Sequence, residues 1–144
     1  MKAKEFLLQV KIKNARVEAK IREKAQFREM MCAVSSPGLD ERVQSSPSPD
    51  KLTNIIAKLQ KYEADIDKAV DEYCDFRIKV SNMISQLTDA RYIEVLHRRH
   101  ICFEEWEQIA DAMGYTVRYI QQLHGQALIE FDRVHHDELY GLLT

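Results

Sequence analysis

The most regular apolar pattern in the chain lies between Leu52 and Leu87. Steps of three and four residues alternate there and meet an apolar residue each time, which is the 3.5-residue repeat of a coiled-coil seam. The pattern predicts one long helix over 51–87, beginning near Asp50 after Pro49. The seam positions are Leu52, Ile55, Leu59, Tyr62, Ile66, Ala69, Tyr73, Phe76, Val80, Met83 and Leu87.

Such a seam needs a partner helix, and the pattern is compatible with two possible partners. The first helix of the same chain can fold back as an antiparallel hairpin, or the same helix of another subunit can pack there to form a homo-oligomer through residues 52–87. Tyr62, Tyr73 and Phe76 are bulky for the core of a parallel dimer. We therefore favour the hairpin or a larger bundle.

The segment before the seam predicts a second long helix and a linker. Residues 2–34 lack Pro and Gly and place Leu7, Val10, Val17, Ile21 and Met31 near helical spacing, which indicates a helix with a narrow apolar stripe. Residues 35–49 contain all three prolines and five serines, a composition typical of a flexible linker. We take residues 1–87 as one helical hairpin or coiled-coil region.

The last third predicts three shorter helices in a second domain, 88–144. Thr88 and Asp89 form a helix-start signal for a helix over 90–100, and a second helix covers 104–113. After a turn at Gly114 and Tyr115, Thr116 caps a third helix that continues through Phe131 to about residue 139. The chain is therefore expected to be all-α.

Residues 106–125 have the pattern of a helix-turn-helix. Two helices that cross steeply need a small residue at the crossing, which is Ala110, and a turn residue with positive φ, which is Gly114. Ile120 follows six residues later, as the first apolar anchor of the second helix. The remaining core positions are expected to be Ile109, Met113, Tyr115, Leu123 and Ala127.

The second helix of this motif presents polar residues that could read duplex DNA. Arg118 suits guanine or a phosphate, Gln121 or Gln122 suits adenine, and Thr116 could bind a phosphate at the helix N-terminus. We expect Tyr119 and His124 beside this face, and Arg98 and Arg99, with Arg91, as nearby phosphate contacts. The predicted DNA-binding residues are Thr116, Val117, Arg118, Tyr119, Gln121, Gln122, His124, Arg98 and Arg99. A solvated helix face is the alternative interpretation of the same residues.

Charge complicates this prediction. Residues 1–34 carry 9 Lys and Arg against 4 Asp and Glu, whereas residues 88–144 carry 5 against 10. Phosphate attraction supplies most non-specific DNA affinity, so an acidic final third weakens the case for direct DNA binding. It leaves open a protein-binding role, or contact between the basic N-terminal helix and its own acidic domain.

The pattern contains no signature of an enzyme or a cofactor site. There is no P-loop, GxSxG or His/Glu metalloprotease motif, and His97 and His100 form a helical pair with no Cys or carboxylate pattern to complete a metal site. The three cysteines, Cys32, Cys74 and Cys102, are far apart and suit a reducing compartment. No apolar run approaches the ~18 residues of a membrane span. We expect a cytoplasmic protein without cofactor or membrane contact.

Residues 88–133 resemble the promoter-reading domain, region 4, of bacterial sigma factors. The resemblance lies in Leu-Thr-Asp-Ala-Arg-Tyr-Ile-Glu-Val-Leu, then Trp-Glu-Gln-Ile-Ala-Asp-Ala-Met-Gly-Tyr-Thr, then Tyr-Ile-Gln-Gln-Leu-His-Gly-Gln-Ala-Leu. The whole chain also resembles small phage and prophage proteins similar to the ArpU and RinA transcription regulators. Glu105 stands where sigma domains place Ser or Thr as the helix cap, and His124 and Gln126 stand where they carry Arg or Lys.

This resemblance implies a phage-related transcriptional regulator that binds duplex DNA, alongside RNA polymerase. Two alternatives remain. A small terminase-type packaging subunit also joins a helix-turn-helix to a coiled-coil oligomerisation region. A protein-only module could mimic a sigma domain through its acidic face and bind RNA polymerase without DNA.

Overall fold

The computed structural model describes residues 2–35 and 49–141, and every regular element in these ranges is helical. The helices are α1 (Lys2–Ser35), α2 (Pro49–Ser85), α3 (Ala90–Leu96), α4 (Trp106–Met113), α5 (Val117–Val134) and α6 (His136–Tyr140). A π-helix (His97–Ile101) follows α3 directly. The expectation of an all-α protein is confirmed for the described part, and the predicted linker lies outside it apart from its two end residues.

Several helix boundaries differ from those predicted. The helix expected over 90–100 changes at Leu96 into π-helix, which the Cys102 N–H closes by donating to the His97 carbonyl five residues earlier at 3.1 Å. Asp50 lies in the first turn of α2 rather than before it. The last long helix ends at Val134, and residues up to Tyr140 form a separate short helix.

The residues divide into two compact units that differ from the predicted division at 87/88. The first unit combines the described residues of Met1–Asn14 with those of Glu72–Thr144, and the second is Ala15–Asp71. Both long helices therefore contribute to both units. The seam positions from Tyr73 onward belong to the first unit, and those from Leu52 to Ala69 belong to the second.

The first unit contains a continuous apolar core. Ala3, Leu7 and Val10 on the first turns of α1 are buried, as are Val80 and Ile84 near the end of α2. The ring of Phe6 lies 5.2 Å from that of Phe76, and buried His135 donates from Nε2 to the Met83 carbonyl at 2.7 Å. The core also contains residues of α3, α4, α5 and α6: Val95, Leu96, Ile109, Ala110, Ile120, Leu123, Ala127, Leu128, Phe131 and Leu139.

The second unit consists of the described parts of α1 and α2 within 15–71. The Phe27 and Tyr62 rings lie 5.5 Å apart, and the Lys24 ammonium donates to the Glu63 carboxylate at 2.9 Å. Residue numbers rise along α1 as they fall along α2, so the two segments run antiparallel here. Among the described residues of this unit, Val17 is the hydrophobic residue that is buried.

Candidate nucleic-acid interface

The interface begins with the connection between α4 and α5. Gly114 adopts φ 75°, the left-handed conformation predicted for the turn, and its N–H donates to the Ala110 carbonyl at 2.9 Å. Ala110 is buried, as expected for the crossing position. Thr116 caps α5 because its hydroxyl accepts the Tyr119 N–H at 3.1 Å.

Glu105 serves as the cap of α4. Its carboxylate accepts a hydrogen bond from the backbone of Gln108, and the Gln108 side chain accepts the Glu105 N–H at 2.8 Å. This reciprocal pair is a capping box, which satisfies N–H groups that a helix leaves without an internal partner. Glu105 and Gln108 together therefore cap the start of α4.

The predicted core of the two-helix motif is largely confirmed. Ile109, Ile120, Leu123 and Ala127 are buried, and Met113 is half-buried against the same cluster. Tyr115 is the exception, because 39% of its surface is exposed and its ring lies 4.6 Å from that of Tyr119 outside the core. The expectation that Tyr115 completes the core is therefore wrong.

One face of α5 presents exposed polar side chains. Arg118, Gln121 and Gln122 are exposed, and Thr116 lies exposed at the N-terminus of the helix. Val117 is half-buried against the core, and the half-buried Tyr119 accepts a hydrogen bond from the Arg91 guanidinium at 2.9 Å. The first group is available to an external partner, whereas Val117 and Tyr119 mainly support the helix.

His124 does not lie beside this face, contrary to expectation. Its side chain is only 8% exposed, and its Nε2 shares a hydrogen bond of 2.9 Å with Nε2 of His100. The Trp106 ring packs against the imidazole in a T-shaped arrangement, with the two ring centres 4.9 Å apart. On a helix of 3.6 residues per turn, position 124 falls on the side of Ile120 and Leu123 rather than that of Arg118 and Gln122.

The histidine pair is held in its neutral form. Burial is the main reason that the pKa of His100 falls to about 3, and the charges of His124 and Arg99 lower it further. Burial likewise lowers the pKa of His124 to about 4, with contributions from Arg99 and Lys4. At neutral pH one imidazole therefore donates the shared hydrogen and the other accepts it.

Arg98 and Arg99 already have partners within the first unit. Arg98 pairs with Glu94 at 3.0 Å and with Glu104 at 3.2 Å. The guanidinium of Arg99 donates to the Glu104 carbonyl at 3.0 Å and lies 4.1 Å from the centre of the Trp106 ring. Both arginines thus connect the π-helix to the residues just before α4. Among the described contacts, none joins Arg98 or Arg99 to the exposed face of α5.

The charge around the interface differs from that expected from residues 88–144 alone. The stretches that form the first unit, 1–14 and 72–144, carry 11 Lys and Arg against 13 Asp and Glu, because the start of α1 adds four lysines. Glu94, Glu104 and Asp89 are paired with arginines. Glu107 and Asp111 on α4 stay exposed.

Two more residues belong to the exposed face of α5, and of these sequence reasoning missed Ile129. Gly125 and the 60%-exposed Ile129 continue the line from Arg118 and Gln122 at steps of three and four. A Cβ added at Gly125 would meet no atom within 4 Å, so packing inside its unit does not require a glycine there. The helical spacing was the available signal for both residues.

Within the described ranges, no three His, Cys, Asp or Glu side chains are placed to hold a metal ion. Likewise, no helix among the described residues is both long and apolar enough to cross a membrane. No protein-family model, curated protein or solved structure matches the chain.

Proposed function

We propose that this protein is a non-enzymatic regulator of transcription that reads duplex DNA with the exposed face of α5. The observation that carries the proposal is the exposure of Arg118, Gln121 and Gln122 on the first turns of a helix that a left-handed glycine turn and a Thr cap position. Arginine and glutamine are the side chains that pair in bidentate fashion with guanine and adenine.

The arrangement of α4 and α5 supports the proposal. In helix-turn-helix proteins the first helix crosses the phosphate backbone and the N-terminal residues of the second enter the major groove. The proposal includes a similarity to region 4 of sigma factors and to ArpU- and RinA-like phage regulators. It also includes the seam of residues 52–87, which would form either the contact of a helical hairpin or a contact between subunits. The half-buried Gly125 supports it further, because a helix position without a Cβ atom permits a close approach of another backbone.

Selection from a pool of randomised duplexes at ~100 mM salt tests the proposal. We expect wild-type protein to enrich a motif, and Arg118→Ala/Gln122→Ala to lose the preference at two positions, each worth about 1–3 kcal/mol. Arg22→Ala/Gln26→Ala is a matched control, since these exposed residues have the same types and spacing on α1. A wild-type protein that enriches no motif, or a double variant that keeps it, contradicts the proposal.

A protein-only module is the second candidate, and the exposed carboxylates Glu107 and Asp111 on α4 favour it. They occupy the helix that would cross the phosphates, where they would repel DNA. In this case purified RNA polymerase binds the wild type, and Glu107→Lys/Asp111→Lys abolishes that binding. The same variant would strengthen DNA binding if the first candidate is correct, so the two measurements separate the candidates.

A further inference from the structure

The first unit contains a cavity on the side of the π-helix. It has a volume of about 110 Å³ and lies between the first three turns of α1 and the residues around His100. Seven residues line it: Lys4, Leu7, Leu8, Lys11, Arg99, His100 and Phe103. The face of α5 proposed to read DNA contributes none of them.

The floor of this cavity is apolar. Leu7 is fully buried, and the ring of Phe103 is packed partly against the core. Leu8 lies at the opening with 47% of its surface exposed. Solvent contact with these groups is unfavourable, so the floor suits an apolar group of a partner.

The rim of the cavity is cationic. Lys4 and Lys11 are exposed and stand seven residues apart, two turns along one side of α1. The Glu104 carbonyl and the Trp106 ring hold Arg99 in place. Its guanidinium lies 3.9 Å from the exposed Glu105 carboxylate, which is a long distance for an ion pair. No carboxylate is among the lining residues. The rim therefore favours anionic groups close to the apolar floor.

The backbone at this place has two uncommon features. Phe103 has φ 58°, which is unfavourable for a bulky residue, and it follows a π-helix. Strained backbone of this kind is concentrated at binding and switch sites, because it persists only where the surroundings hold it. Here the two features place the Phe103 ring and Arg99 around the same cavity.

We propose that this cavity binds a segment of a protein partner in which an apolar side chain is flanked by carboxylates. The apolar side chain fills the floor formed by Leu7, Leu8 and Phe103, and the carboxylates pair with Lys4 and Lys11 in the positive field of Arg99. A phosphate backbone would use the cations and leave the apolar floor empty, so an acidic peptide fits better than DNA. This interaction is separate from DNA reading by α5.

The test is selection of a random peptide library on the full chain. We expect wild-type protein to enrich peptides with Leu, Ile or Phe between Asp and Glu residues. Lys4→Glu/Lys11→Glu should bind the enriched peptides at least about tenfold more weakly, because like charges then face each other. Leu8→Ser should weaken binding without changing the charge.

The matched control is Lys61→Glu/Lys68→Glu, an exposed pair with the same spacing on α2. This variant should bind the peptides as the wild type does, and circular dichroism should show the same helix content for all variants. Enrichment of no peptide, enrichment of peptides without carboxylates, or unchanged binding by Lys4→Glu/Lys11→Glu would each overturn the proposal.

Duplex DNA provides a separate arm of the experiment. Lys4→Glu/Lys11→Glu should bind the DNA motif as tightly as the charge-matched control variant. A selective loss of DNA affinity, with the salt slope reduced by about two, would make both lysines phosphate contacts and overturn the peptide proposal. Conversely, Arg118→Ala/Gln122→Ala should bind the peptides as tightly as the wild type does. Peptide binding therefore tests this proposal even if the protein does not read DNA.

Discussion

The two units of this protein are built from the same two long helices and yet differ sharply in burial. In the first unit, α3 to α6 pack around the ends of α1 and α2, and 18 described residues form one buried apolar cluster. Among the described residues of the second unit, the elements are parts of α1 and α2. Val17 is buried there, while Ile21, Met30, Leu52 and Ile56 stay about half exposed or more.

The comparison shows that a regular apolar repeat does not by itself produce a core. Two helices can cover only one side of each other, whereas an apolar side chain in the first unit is surrounded by several elements. Most of the folding free energy should therefore come from the first unit.

Matched phenylalanine substitutions give the largest contrast. Phe131→Ala in the first unit should lower the free energy of unfolding by about 3–5 kcal/mol, because the ring is fully buried and leaves a cavity. Phe27→Ala in the second unit should cost less than about 2 kcal/mol, since its ring is only half-buried against Tyr62. Urea unfolding followed by Trp106 fluorescence and by circular dichroism measures both effects. Equal losses would contradict the comparison.

Acid should destabilise the first unit through the His100–His124 pair. Their pKa values of about 3 and 4 in the fold lie below the ordinary value of 6.5, so the unfolded chain binds more protons at intermediate pH. Stability is full above about pH 6.5. Below it, the folding equilibrium constant should fall up to about tenfold per pH unit for each such histidine.

The pH effect is measured as the urea midpoint between pH 7.5 and 4.5, followed by Trp106 fluorescence. His124→Gln should make the urea midpoint depend less steeply on pH, because it removes one of the two histidines whose pKa the fold lowers. The exposed His136, replaced in His136→Gln, is the control and should leave the slope unchanged. A slope equal in wild type and His124→Gln would show that the buried pair does not resist protonation.

Two glycines of the first unit should respond in opposite directions. Gly114→Ala should cost about 1–2 kcal/mol because φ 75° is unfavourable for alanine. Gly125→Ala should add about 0.5–1 kcal/mol, since the site is inside α5 and the new Cβ meets no neighbour. Thermal unfolding measures both. A stabilised Gly125→Ala that also loses DNA affinity would show that the glycine serves a partner rather than the fold.

The smallest contrast concerns two carboxylates. Glu104→Gln should cost about 1 kcal/mol or less, because Glu104 is partly buried and accepts two hydrogen bonds from Arg98. Glu63→Gln should have no measurable effect, because its pair with Lys24 is exposed to solvent. Urea midpoints at low and high salt measure both. A larger loss for Glu63→Gln would mean that the second unit depends on surface charge.

The turn between α4 and α5 and the Thr116 cap could be predicted from sequence because they depend on neighbouring residues. Gly114 is needed where φ is positive, Thr116 accepts an N–H three residues ahead, and Ile120 and Leu123 follow from helical spacing. The exposed face of Arg118 and Gln122 follows from the same spacing. These features require no knowledge of distant contacts.

Other features depend on residues that are far apart in the chain. The spacing of residues 90–100 suited a plain α-helix, whereas the pairs of Arg98 with Glu104 and of His100 with His124 accompany a π-helix. The polar His124 is expected at the surface, but it is buried because His100 supplies its hydrogen-bond partner there. Tyr115 is aromatic and was expected inside, but it packs on Tyr119 at the surface.

The sequence by itself determined the all-α class, the glycine turn, the Thr116 cap and, apart from His124, the apolar and polar faces of α5, because short-range geometry decides each of them. Only the tertiary structure decided that the first residues of α1 join the unit of α5, which brings Lys4 and Lys11 to Arg99 and Phe103. The physical reason is that a cavity, a shared hydrogen or a buried charge depends on every element around it, and the periodicity of one helix contains no information about those neighbours.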